Sequence, residues 1–133
     1  MEILSAILCD AASDYGGKLC ILGAFDTISV QQFPVVHAHC ALAVRVLFHD
    51  EDEGMRKFSF KLIDSDGKNL LPRVEFQVQV KLREDMFFIS QNFVINLQGL
   101  QFPKAGQYSI DISCDDKIIS RVPLQVVVNK PGT

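Results

Sequence analysis

With 133 residues, 48% of them hydrophobic, ten Phe and no Trp, the chain carries enough apolar side chain for a single core. A domain of this size buries about two-thirds of the surface its unfolded chain exposes and needs no metal or disulfide staple. The formal net charge is −3 and Lys and Arg are scattered, so the clustered basic face that phosphate binding requires is missing and nucleic acid is excluded as a partner.

The first residues, Met1 to Asp10, are apolar and run into a cysteine. They do not fit an export signal: there is no basic leading segment, Glu2 has the wrong sign, and an apolar run of about six falls short of the seven to fifteen required. No run approaches the eighteen or so apolar residues of a membrane span. A cytoplasmic protein with no membrane partner is expected, and Cys9, Cys20, Cys40 and Cys114 are expected as free thiols.

Residues 2 to 9 read as a strand with Ile3 and Ile7 on one face and Leu4, Ala6 and Leu8 on the other. Asp10 to Gly17 carries turn chemistry, since paired glycines supply the positive φ of tight turns. Lys18 to Phe25 forms the return strand, with Leu19, Ile21 and Phe25 opposing Cys20, Leu22 and Ala24. This hairpin is apolar on both faces and must be covered on both, either by the chain's own sheets and loops or by another molecule. For the second case the interface candidates are Ile3, Leu4, Ile7, Leu8, Leu19, Ile21, Leu22 and Phe25.

Asp26 to Val36 reads as a loop or irregular edge because Gln31-Gln-Phe-Pro34 interrupts any ladder. The next strand, about His37 to His49, turns Cys40, Leu42, Val44, Val46 and Phe48 to one face. After the acidic turn Asp50 to Gly54 come Phe58, Phe60 and Leu62, closed by Asp64-Ser-Asp-Gly67. Val74, Phe76, Val78, Val80 and Leu82 alternate with polar residues in the cleanest half-buried strand of the chain. A loop through Arg83-Glu-Asp85 leads by Phe87-Phe88-Ile89 into a strand with Phe93, Ile95 and Leu97 on one face and Gly99 as a turn. Tyr108, Ile110, Ile112 and Cys114 then share a face. A hairpin at Cys114 to Lys117 returns the chain through Val122, Leu124, Val126 and Val128, with Pro123 marking an edge position or a bulge.

Gly106-x-Tyr108 at the start of a strand suits a tyrosine corner, in which the phenol covers buried residues and its hydroxyl donates to a carbonyl a few residues upstream. Ile95-x-Leu97-x-x-Leu100 followed by Gly106-x-Tyr108-x-Ile110 resembles the E to F segment of immunoglobulin-like sandwiches over about twenty residues. It differs from antibody-type domains at Lys104, where they carry Asp, and at Ile110, where they carry Cys. The fold class expected is all-β: one domain over residues 1–129, a two-sheet antiparallel immunoglobulin-like β-sandwich of about eight or nine strands, with a flexible tail at 130–133.

His37-Ala-His39-Cys40 comes nearest to a metal motif, since His37 and His39 fall on one side of a strand and imidazole and thiolate both suit zinc. No further ligand can be named, and histidines at a strand start are more often surface residues, so neither metal nor cofactor is expected. The carboxylates of Asp50 to Glu53, Asp64, Asp66, Asp115 and Asp116 fall in expected loops, but their spacing defines no calcium site, and turn chemistry explains Asp64-Ser-Asp-Gly67 better. The three His lie at 37, 39 and 49, none beside a nucleophile, so no catalytic residue is assigned.

The blocks Leu4-Ser-Ala-Ile-Leu-Cys-Asp10, Gly17-Lys-Leu-Cys-Ile-Leu-Gly-Ala-Phe-Asp-Thr-Ile28 and Phe102-x-x-x-Gly-x-Tyr-Ser-Ile-Asp-Ile112 resemble a family of small bacterial proteins of unknown function. That resemblance implies a bacterial cytosolic β protein and carries no activity. The function expected is a non-enzymatic protein-interaction or scaffolding module, self-associating through the N-terminal hairpin or taking a protein partner. The alternative is a small-ligand or metal-binding domain that uses strand-end loops.

Overall fold

The computed structural model describes residues 1–129, and the tail at 130–133 lies outside the described residues. Nine strands are formed there: β1 (Glu2–Tyr15), β2 (Lys18–Phe25), β3 (Thr27–Val30), β4 (Val35–Phe48), β5 (Gly54–Ile63), β6 (Val74–Val80), β7 (Ile89–Phe102), β8 (Gly106–Cys114) and β9 (Lys117–Val128). They build a four-stranded sheet ordered β2-β1-β4-β7 and a five-stranded sheet ordered β3-β9-β8-β5-β6. All pairs are antiparallel except β3 with β9.

The sandwich follows from the alternation. Cys40, Leu42, Val44, Val46 and Phe48 of β4 are buried against Phe58, Phe60 and Leu62 of β5, Ile110 and Ile112 of β8, and Leu124 and Val126 of β9 in one core cluster. At the β6–β7 side the two sheets are joined by rings, with the Phe93 centroid 5.0 Å from Phe58 and 5.2 Å from Phe76. Such offset aromatic contacts contribute beyond the area they bury.

Four features depart from the sequence reading. β1 runs on to Tyr15, and the turn is only Gly16-Gly17, at φ 57° and 81°. Thr27–Val30, expected to be irregular, forms β3 and pairs parallel with Gln125–Val128. Gly99 is no turn: it sits inside β7 at φ 63°, and it shifts the inward row from Phe93 and Leu97 to Leu100 and Phe102. β9 is an interior strand, yet β3 reaches it only from residue 125. The Gln125 amide donates to Asp26 O at 2.9 Å. Two residues earlier, with the same strand parity, the Pro123 nitrogen points to that side where β3 has not begun, so its missing donor breaks no ladder bond.

Candidate interaction surface

The N-terminal hairpin divides at Asp10 and Gly23. Up to Cys9, β1 pairs with β4; beyond it, β1 pairs only with β2. Gly23 adopts φ 72°, and a Cβ there would fall 2.5 Å from Asp10 Oδ2. The distal arm, residues 11 to 22, turns back over the outer face of the four-stranded sheet, where Ala12 and Leu19 join Val94 in covering Cys9, Ala41 and Ala43. Arg45 Nη1 donates to Gly17 O (2.9 Å) and to Asn92 Oδ1 (2.8 Å), and Asn92 Nδ2 donates to Gly17 O (3.2 Å). Asp14 Oδ1 accepts from the Gly17 amide at 3.0 Å and holds the turn.

The eight hairpin candidates therefore do not form one patch. Leu8 is buried in the core, and Ile3 and Phe25 pack against it. Leu19 faces inward beneath the arm, and Ile7 is half-buried. Leu4, Ile21 and Leu22 are exposed, Leu22 by 70%, and so is Tyr15 at the arm tip. But Leu4 lies in the part of β1 that pairs with β4, and Leu22 pairs with Ala11 at the base of the arm.

The sheet edges differ in how they are protected. β2 carries the Gly23 kink, β3 has four residues, and β6 has Glu75 held by Arg73 at 2.9 Å. β7 pairs with β4 alone among the described residues. Its 14 residues, ISQNFVINLQGLQF, include no charged residue and no proline. Charge, proline, kinks and shortness are the usual devices against unwanted pairing at an edge, and β7 has only the left-handed Gly99 toward its end.

Directly before β7, the loop after β6 exposes Met86, Phe87 and Phe88, Phe87 by 90%. The Leu82 amide donates to Glu53 Oε1 at 3.4 Å, so the start of this loop is tied to the acidic turn Asp50–Glu53. At the opposite end of β7 lies an open cleft of about 520 Å³ lined by Pro34, Val35, Leu70, Phe102 and Pro103, with Lys68 at its rim. Phe87-Phe88 follows a charged loop in the sequence, but neither their exposure nor the cleft, whose walls come from three distant segments, is legible there.

His37 is half-buried, its ring 5.9 Å from Phe25, and Nε2 is buried without a hydrogen-bond partner; His39 is exposed. His37 and Asp10 share the wall of a second open cleft of about 460 Å³ between β2, β3 and β4. No group of three or more His, Cys, Asp or Glu is gathered around a metal-sized space among the described residues. All four cysteines are free. Burial pushes the Cys40 thiol up to about 11, helped by neighbouring Cys9 and Asp10, and Cys114 likewise to about 11, so neither is an activated nucleophile at neutral pH.

Tyr108, buried over Phe102, donates its hydroxyl to Lys104 O at 2.6 Å, and Gly106 opens β8. This is the tyrosine corner, and its role is to hold the turn from β7 to β8. No helix of the described residues is long and apolar enough to cross a membrane.

Fold and surface together define a small two-sheet β-sandwich. Residues 4–127 match the model of a family of unknown function (DUF6941), and the chain belongs to that family. No curated protein matches. Among solved structures, the chain is similar to a glycosyl hydrolase family 2 member from Bacteroides cellulosilyticus at 14% identity and a TM-score of 0.39. The match covers 69% of this chain and 13% of that one.

Proposed function

We propose that this chain is a non-enzymatic protein-interaction module that accepts a strand along the free edge of β7. The observation that carries the reading is that edge: 14 residues paired on one side only, without charge or proline. Strand addition satisfies the outward amides and carbonyls of such an edge, with alternate side chains setting specificity. Four free thiols, one of them the exposed Cys20, fit a reducing compartment such as the cytoplasm.

The test compares proteins captured from the native host by the wild-type chain with those captured by N96K/Q98K. Both positions are exposed on β7, and lysine on an edge blocks pairing. Loss of specific partners from the edge variant supports the reading, and an unchanged set overturns it. Y15S/L22S, run in parallel, tests the competing surface on the N-terminal arm.

A second reading, a small-ligand or metal site at the cleft shared by Asp10 and His37, draws support from the unpartnered His37 Nε2. Equilibrium dialysis against zinc tests its metal form, and less than about a tenth of an equivalent bound at neutral pH rules that form out.

A further inference from the structure

The β7 edge has a suitable strand in its own chain. We propose that two copies join antiparallel through β7 about a two-fold axis, with Phe87 and Phe88 of each copy entering the other's cleft beside Phe102 and Pro103. This deepens the edge-pairing reading and rests on it.

The register follows from the faces. For two sandwiches to share one continuous sheet with both cores on the same side, residues opposite one another must have the same facing, and a two-fold axis then passes through a residue rather than between two. Ile95 and Asn96 form the midpoint of Ile89–Phe102. Centring on Asn96 would set Phe93 against Gly99. Centring on Ile95 sets inward Phe93 opposite Leu97, and outward Asn92 opposite Gln98. In these two pairs apolar meets apolar and amide meets amide, Val94 lies opposite Asn96 on the outer face, and no charge falls anywhere along the seam.

Continued outward, the same register brings Phe88 level with the partner copy's Phe102 and Phe87 level with its Pro103, displaced by about one residue where Gly99 breaks the regular period. Phe102 and Pro103 are walls of the larger cleft. The most exposed aromatic on the molecule, Phe87 at 90%, therefore arrives at an apolar cleft of about 520 Å³, which is larger than its side chain requires. Because the contact is isologous it occurs twice. A phenylalanine buries about 150–250 Å², so two insertions with their matching cleft walls and the strand seam reach the roughly 1,000 Å² that a specific interface needs.

Light scattering on the purified chain at tens of micromolar is the test. The expected mass is that of two chains for the wild type and of one chain for both N96K/Q98K and F87S/F88S, each with unchanged circular dichroism. All four positions are exposed, so folding is not at stake. A dimer that survives either variant overturns the proposal. A one-chain mass for the wild type over the whole concentration range also overturns it, while the capture comparison still decides separately whether the edge takes a strand from another protein.

Discussion

Arg45 Nη1 lies 2.9 Å from the Gly17 carbonyl and 2.8 Å from Asn92 Oδ1, so one guanidinium ties the tip of the N-terminal hairpin to two strands of the sheet beneath it. This latch explains how a hairpin that is apolar on both faces can exist in one chain: half of it enters the sheet and the other half covers the sheet's outer face. The variant R45A is expected to lose about 1–2 kcal/mol in urea unfolding, the lower part of the range for hydrogen bonds to a charged group because Gly17 is exposed. Amide exchange localises the effect. Residues 11 to 22 should exchange faster in R45A while β5 and β8 keep their protection, and uniform loss of protection would show that the arm is not a separate unit.

Gly23 is the bend that lets the arm fold back. At φ 72° an L-residue is strained, and the added Cβ would meet Asp10 Oδ2, the far end of a side chain that can rotate away. G23A is therefore expected to cost about 1–2 kcal/mol, mostly from the backbone. D10A/G23A should recover little of it. Full recovery in the double variant would mean that the clash with Asp10, and not the left-handed backbone, sets the cost.

The Tyr108 hydroxyl bonds to Lys104 O at 2.6 Å. Y108F keeps the ring over Phe102 and removes only that bond, so a loss of about 0.5–1.5 kcal/mol is expected, with the oligomeric state unchanged. A loss no larger than the error of the unfolding measurement would reduce the corner to ring burial.

Most of the fold could be read from alternation with period two. The inward rows of β4, β5, β6 and β8 stood out residue by residue because each has a mostly polar or small opposite face, and the corner could be read from Gly106 and Tyr108. The fold-back of the arm could not be read. A strand that is apolar on both faces gives the same pattern whether its cover is a second sheet, its own hairpin or another molecule. β3 has only four residues, too few to display a period, and its parallel pairing with β9 is a non-local choice. Gly99 has the chemistry of a turn but serves inside a strand. The apolar loop tip and the cleft were hidden for a different reason: exposure belongs to the surface, and the cleft walls are brought together from positions 34, 70 and 102 only by folding.

The thiols offer a check on burial. Cys20 is exposed, whereas Cys9, Cys40 and Cys114 are buried, with thiols raised by burial first of all. Ellman's reagent at pH 8 is expected to modify one thiol per native chain quickly and the other three only after unfolding, since thiolate character and access control the rate. C20S should abolish the fast phase. Two or more fast thiols in the native chain would mean that the arm over Cys9 opens on the timescale of the reaction.

Asp52 should set part of the acid limit of stability. Burial alone would raise its pKa, but the His49 amide, the N-terminal ammonium at 2.9 Å and Arg56 outweigh burial and hold the carboxyl below its ordinary value. A carboxylate with a lowered folded pKa contributes stability that is fully present above its unfolded value of about 3.9 and is lost as pH falls through the folded value. Asp115, lowered by the Lys57 amide and by Arg56, acts in the same direction. The wild-type chain should therefore lose stability steeply below about pH 4, and D52N, unable to titrate there, should be less stable at neutral pH and show a shallower acid limb. The measurement is the urea midpoint of both proteins from pH 7 down to about 2.5, a range that spans the unfolded carboxylate pKa. Parallel acid limbs would show that the Asp52 carboxylate gains nothing from the N-terminal ammonium or the His49 amide.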